Sequence, residues 1–332
     1  MKVRPMETPS RPDLQHTPNL QQHHVVIGAG PTGAATAVLL ADLGADVRIL
    51  SRSGNGPDHP RIARVAADAT DVDALAAHAE GSAVIYNCAN PPYHQWTTDW
   101  PPLATAILHA AERSGAVLVT LSNLYMYARP GGQPMTEQDA LNAETVKGRV
   151  RAETYRQALA AHEAGRVRMA EARASDFIGA GLGDAAHMGE RILGRVRAGK
   201  SVQVIGNPDV AHSWTAVADV ARTLVELGSN PAALGRAWHV PTAAPVTQRE
   251  LIHRFCAEAG VEPVKVSSIP SPALRLLGLF VPAMGELREV SYQFNEPFVV
   301  DSSDAENKLG LSPTPLAETI REAVGNSTVG IG

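Results

Sequence analysis

The stretch "HHVVIGAGPTGAATAVLLADLGADVRILSRS", His23 to Ser53, decides the architecture. "HVVI" is a short continuous apolar run, the pattern of a parallel strand buried on both faces. Gly28, Gly30 and Gly33 follow it directly as G-x-G-x-x-G, and an alanine- and leucine-rich segment then reads as a helix. Gly28 permits a tight turn, Gly30 lets the backbone approach a pyrophosphate, and Gly33 lets the helix pack close to the strand. Pro31 and Thr32 open that helix, so its N-terminus is expected to face the phosphates of a dinucleotide.

The second strand, "DVRIL", runs into Ser51-Arg52-Ser53. An NAD-selective site needs a carboxylate there to accept from the ribose 2′-hydroxyl. None is present. Arg52 suits a 2′-phosphate and the two serines suit hydrogen bonds to it, which favours NADP(H) over NAD(H). The third strand ends in "VAADATD", where Asp68 and Ala69 occupy the expected adenine edge. Helix capping competes for the acidic residues at that point. Ala89 and Asn90 at the end of the fourth strand are small enough for the nicotinamide ribose to lie close, in the crevice where open α/β sheets bind ligands.

Outward from this core, strand-like runs alternate with helical segments: "RVAAD", "AVIYNCA", "AVLVTLS", "VRMAEAR" and "AWHVP" complete seven strands. The expected fold is α/β, a Rossmann doubly wound parallel sheet of about seven strands with a smaller mixed C-terminal region capping the substrate. The boundaries read as a disordered tail over residues 1–22 and a Rossmann domain over 23–177 plus about 210–241. The substrate region then takes about 178–209 plus 242–332. Within it, "SSIPSPALRLLGLFVPAMGELREV" and "EPFVVDSSDAENKLGLSPTPL" are proline-rich and irregular.

The totals narrow the partners. The 332 residues are 44% hydrophobic with a net charge of −5 and no basic cluster, so nucleic acid is a poor partner. No apolar run reaches about 18 residues, so no membrane span is expected. Two distant cysteines, Cys88 and Cys256, fit a reducing cytoplasm. Twelve histidines show neither H-E-x-x-H nor C-x-x-C, and no metal site is expected. G-x-S-x-G and P-loop signatures are also missing.

Between His23 and about Val324 the chain resembles the extended short-chain dehydrogenases/reductases of the NAD-dependent epimerase/dehydratase family. The resemblance is carried by "GAGPTGAA", "LSNLYMY" (Leu121–Tyr127), "RASDFIGAG" (Arg173–Gly181), "AGKSVQVIGNPDVAHSWTAVADVA" (Ala198–Ala221) and "LGRAWHVPTAAPVTQREL" (Leu234–Leu251). It implies a bound dinucleotide, hydride transfer at the nicotinamide and a small-molecule substrate. It leaves the assembly open, with a homodimer through helices flanking the sheet as the common family arrangement.

Members of that family use a Ser or Thr after the fifth strand and a Tyr-x-x-x-Lys pair on the next helix, whose two side chains share one face. None of the six tyrosines here has a lysine four residues on. In "AETVKGRVRAETYRQ", aligning Glu153 with the family glutamate puts Arg149 at the lysine and Thr145 at the tyrosine. A shift of two puts Lys147 and Ala143 there instead. This resembles an atypical branch. Ser122 or Asn123 then becomes the candidate to hold a carbonyl oxygen and Tyr125 the candidate acid, with packing as the alternative. Tyr127 falls at a position that is usually structural. Lys147 or Arg149 is expected at the cofactor, the alternative being a solvated basic face continuous with Arg151 and Arg156. Ser175 or Asp176 is expected at the carboxamide. Tyr93, His94 and Trp96, and His212, Ser213 and Trp214, are candidates for substrate contact. Arg191, Arg195, Arg197 and Lys200 fit either a diphosphate or an exposed helix face.

The expectation is an NADP(H)-dependent ketoreductase acting on a small, polyketide-like or aromatic carbonyl compound without the Tyr-Lys pair. A nucleotide-sugar epimerase or dehydratase, and a non-catalytic NADP(H)-binding sensor, stand as alternatives.

Overall fold

The computed structural model describes residues 14–184, 186–269 and 289–325. Most of the proline-rich stretch beginning at Ser267, and the tail before residue 14, lie outside them. Seven strands form one parallel sheet: β1 (His24–Ile27), β2 (Val47–Ser51), β3 (Ile62–Ala66), β4 (Val84–Asn87), β5 (Val117–Ser122), β6 (Arg168–Arg173) and, late in the chain, β11 (Ala237–His239). Their order is β11-β6-β5-β4-β1-β2-β3. The chain reverses its winding between β1 and β4, so the switch-point crevice opens above the carboxyl ends of these two strands. Register aligns those ends, with Ile27 opposite both Leu50 and Asn87.

Every residue of β1, β4 and β5 is buried, which is why they read as unbroken apolar runs. Helices α1 (Pro31–Asp42) and α6 (Val217–Ser229) cover one face, and α2 (Val72–Ala79), α3 (Trp96–Ser114) and α4 (Val146–Glu163) cover the other. A second apolar core lies in the later part of the chain. It joins α5 (Glu190–Arg197), β8 (Val202–Val204), α7 (Gln248–Glu258), β13 (Val266–Ser268) and the last helix, α9 (Leu316–Gly325). The preceding helix, α8 (Ser303–Leu309), returns to the first core through Ala305 and Leu309.

Short pairings tie the two parts at the crevice. β7 (Asp176–Ile178) runs parallel to β10 (Trp214–Ala216) with Asp176 opposite Trp214, and β9 (Ala211–His212) pairs antiparallel with β12 (Val246–Thr247). Two expectations shift. The tail does not extend to residue 22: Leu14 packs on the first core, and the buried Glu226 accepts from the His16 backbone N–H at 3.2 Å and lies 2.7 Å from its ring Nδ1. Arg191, Arg195 and Arg197 bond to Gln203 O, Ser201 O and Glu190 on the outer side of α5, whose apolar face is buried. Among the described residues no helix is long and apolar enough to cross a membrane, and no cluster of His, Cys, Asp or Glu could hold a metal ion.

Candidate functional site

The glycine turn shows what each glycine is for. Gly28 has φ +99°, and a Cβ there would meet Cys88 O at 2.8 Å. A Cβ on Gly33 would strike Gly28 O at 2.0 Å, so β1 and α1 touch only because the side chain is missing. Gly30 differs: it caps α1 with an ordinary φ of −70°, and a Cβ there would meet nothing within 4 Å. No neighbour in the chain requires a glycine at that position. The open space above it, at a helix N-terminus whose Thr32 and Gly33 amides precede the first helical bond, fits a pyrophosphate. Cys88, packed beneath, is held as a thiol, its pKa pushed up to about 12 by burial.

At the end of β2, Arg52 and Ser53 are exposed in the turn, and Arg52 has no hydrogen-bond or ion-pair partner among the described residues. Ser51 donates its hydroxyl to Asn55 O at 2.9 Å within the turn. Asp68 accepts from both the backbone and the hydroxyl of Thr70, while Asp71 is the residue that caps α2. Ala69 is half-buried beside it.

The other end of the crevice lies where β4, β5 and β6 finish. Ser122 ends β5 with its hydroxyl buried, and neither it nor the buried Ser175 hydroxyl after β6 has a hydrogen-bond partner among the described residues. Thr145 caps α4 by accepting from Gly148 N–H at 3.0 Å. Gly148 lets that helix start press against the loop after β5, because a Cβ would meet Tyr125 O at 2.1 Å. This seating turns one face of α4, Lys147 and Arg151, into the interior. Arg149 points outward and bonds Glu144 O, so of the two cofactor candidates on this helix only Lys147 faces inward. The basic face expected to be solvated is divided: Arg156 is exposed, whereas Arg151 is 5% exposed.

Arg151 is the residue that sequence reasoning missed. Its guanidinium lies over Trp100 and Trp96, 4.1 and 4.8 Å from the ring centroids. It donates to Asn90 Oδ1 at 3.2 Å and Leu121 O at 3.5 Å, and its Nε has no partner among the described residues. No carboxylate lies within ion-pair distance among the described residues, and burial lowers its pKa to about 10. Its spacing of four from Lys147 was the available signal. Lys147 is paired with Glu289 at 2.7 Å and lies 5.8 Å from the centroid of the Tyr93 ring.

Tyr125 is buried, its hydroxyl 3.1 Å from that of Tyr93 and accepting from Gln293 at 3.4 Å. Burial, with Tyr93 and Asp176 adding to it, holds this phenol well above its ordinary pKa, which makes it a weak acid. Asn123 caps the same turn by accepting from Tyr125 N–H. Tyr127 bonds Arg173 and His239 at 2.6 and 2.8 Å inside the core. Trp96 and Trp214 are buried, their indole N–H groups satisfied by Pro91 O and Val246 O, and act as walls rather than open contacts. His94 is exposed and Ser213 fully buried. His212 is also buried, 2.9 Å from Asp176.

The sequence model of the NAD dependent epimerase/dehydratase family matches residues 24–240. No curated protein matches by sequence. The fold is close to that of several solved structures. The epimerase Mth375 of Methanothermobacter thermautotrophicus is 18% identical at a TM-score of 0.74, covering 92% of this chain and 91% of that one. The dTDP-glucose 4,6-dehydratase DesIV of Streptomyces venezuelae, solved as a double mutant with NAD and DAU bound, is 17% identical at 0.74, covering 92% and 96%. The Bordetella bronchiseptica enzyme WbmH in complex with NAD+ is 17% identical at 0.71, covering 92% and 98%.

Proposed function

Because the chain belongs to the NAD dependent epimerase/dehydratase family, we propose that it is an NADP(H)-dependent oxidoreductase that reduces the carbonyl of a small organic molecule. The observation that carries this reading is the corner made by Arg151 and Ser122. Both lie at the carboxyl end of β5: the buried Arg151 guanidinium bonds the carbonyl of Leu121, feels Glu171 but has no carboxylate at ion-pair distance, and the next residue, Ser122, has a buried hydroxyl with no partner among the described residues. Donors set in advance in a dry site stabilise negative charge developing on a substrate oxygen. They stabilise the alkoxide left when hydride adds to the carbonyl carbon, and the alkoxide takes its proton from solvent as product leaves, so no phenolic acid is needed, a role for which Tyr125 is held too weakly acidic.

The turn Gly28–Gly33 would hold the pyrophosphate, Arg52 and Ser53 the 2′-phosphate, and Ala89, Asn90 and Ser175 the nicotinamide end. The bound cofactor supplies the hydride. Lys147, neutralised by Glu289, closes the wall against Tyr93 and keeps water out. The second reading, a nucleotide-sugar epimerase or dehydratase, is favoured by the family and by relatives such as the dTDP-glucose dehydratase. It asks for a base that starts oxidation of a hydroxyl, and the missing Tyr-x-x-x-Lys weakens it.

Turnover of ketones, quinones and UDP- or dTDP-sugars with NADPH and with NADH separates these readings. Ketone or quinone reduction with NADPH preferred is expected. Arg52→Asp should move the preference toward NADH, and Arg151→Met should lower kcat by about 10²–10³. Sugar-dependent turnover with NAD would sink both the reductase reading and the NADP(H) preference. Cofactor binding with no turnover at all would make the protein a sensor.

A further inference from the structure

Asp176 opens β7 immediately after the end of β6, at the rim of the crevice. Pairing of β7 with β10 brings it against the β9–β10 segment, where His212 Nε2 lies 2.9 Å from Asp176 Oδ2. The other ring nitrogen, Nδ1, lies 3.1 Å from Gln293 O and donates to it. Phe294 and Phe298 stack on the ring with centroids 4.9 and 5.4 Å away, and Trp214 tilts against it at 4.4 Å. The imidazole is therefore fixed in place, its two nitrogens donating to the Gln293 carbonyl and to the Asp176 carboxylate, as the doubly protonated ring does. It holds one carboxylate oxygen of Asp176. Besides His212, the carboxylate accepts from its own backbone N–H and from no other residue among those described, and the side chain is 20% exposed whereas that of His212 is 1% exposed. This is an acceptor held in advance with part of its surface accessible.

We propose that Asp176, positioned by His212, selects the substrate: its partly exposed carboxylate accepts a hydrogen bond from a hydroxyl of the bound molecule, so the enzyme takes hydroxylated carbonyl compounds. This rests on the carbonyl reduction proposed above. An ionised carboxylate only accepts, so it favours O–H and N–H groups and repels anions. Burial works against the charge of Asp176, but the hydrogen bond and charge of His212 and the nearby His187 outweigh it and keep its pKa below the ordinary range. The other groups facing the carboxylate are the phenols of Tyr93, Tyr125 and Tyr292, each held neutral chiefly by burial. The buried guanidinium of Arg151 on α4 disfavours an ammonium, which leaves a neutral hydroxyl as the fitting donor. A site built around a substrate hydroxyl discriminates strongly, because the analogue without it leaves a desolvated acceptor unpaired.

The test compares acetophenone with its ring- and side-chain-hydroxylated derivatives, in the wild type and in Asp176→Asn, which presents an amide in a similar shape. Rates with NADPH give kcat/KM, and saturation-transfer NMR without cofactor gives binding. In the wild type at least one hydroxylated derivative should exceed acetophenone by about a hundredfold or more. In Asp176→Asn that ratio should collapse toward one, mainly through KM. His212→Phe, which frees the carboxylate to turn, should lower the ratio partway. Equal rates for hydroxylated and unhydroxylated ketones in the wild type, or a ratio untouched by Asp176→Asn, would overturn the proposal and leave the reductase reading standing. If the wild type reduces none of them, the reductase reading fails for these ketones and the binding arm decides. Hydroxyl-dependent binding lost in Asp176→Asn upholds the selecting role; binding that ignores the hydroxyl removes it.

Discussion

Gly30 and Gly33 look alike in the motif and differ in kind. Gly33→Ala pushes a methyl into the Gly28 carbonyl, so it should destabilise the fold by about 1–3 kcal/mol, as overpacking does. Gly30→Ala meets open space at an ordinary φ, so stability should stay within about 0.5 kcal/mol. Its methyl would instead stand where a pyrophosphate approaches, and NADPH affinity should drop at least about tenfold, or 1.4 kcal/mol. Urea unfolding and fluorescence titration with NADPH check the pair. Unchanged affinity in Gly30→Ala would remove this turn from the cofactor site. Arg151 makes the same point about context. As a letter it belongs to a basic helix, and only its place under the end of β5, against two tryptophans, makes it a buried donor.

α4 carries the site because of where it begins. The Thr145 cap and the missing side chain of Gly148 set its rotation, and that rotation sends Lys147 and Arg151 inward and Arg149 outward. Pattern reading could place the helix but not its rotation, since basic residues at 147, 149, 151 and 156 fall on several faces. The N-terminal segment is a second case. It is too polar to read as structure, yet His16 supplies a partner to the fully buried Glu226, which among the described residues otherwise has only Asn230. His16→Ala leaves a buried acceptor short of a hydrogen bond, so a loss of about 1–3 kcal/mol is expected. A chain starting at residue 23 should lose at least as much. If the urea midpoint of His16→Ala equals that of the wild type, the segment contributes nothing to stability.

Across the whole molecule, burial sets the response to pH. His24, His187 and His239 all have pKa values lowered chiefly by burial. Between those lowered values and about 6.5 the unfolded chain binds more protons than the folded one, so stability rises with pH through that window and levels off above it. Glu171 and Asp219, raised chiefly by burial, act with the opposite sign from the ordinary carboxylate range upward. The histidine contribution should make stability fall from about pH 7 to pH 6. His24→Gln should reduce that slope by at most about 1.4 kcal/mol per pH unit. An unaltered slope in urea titrations at the two pH values would mean that His24 does not contribute to it.

The sequence by itself determined the seven parallel strands, the dinucleotide turn and the loss of Tyr-x-x-x-Lys, because each of these is written in local period and spacing. Only the tertiary structure decided which helix face looks inward, that Tyr125 is tied to Tyr93, and that Asp176 and His212 meet. Those facts depend on helix rotation and on strand pairings between residues dozens of positions apart, and neither leaves a mark in the run of neighbouring residues.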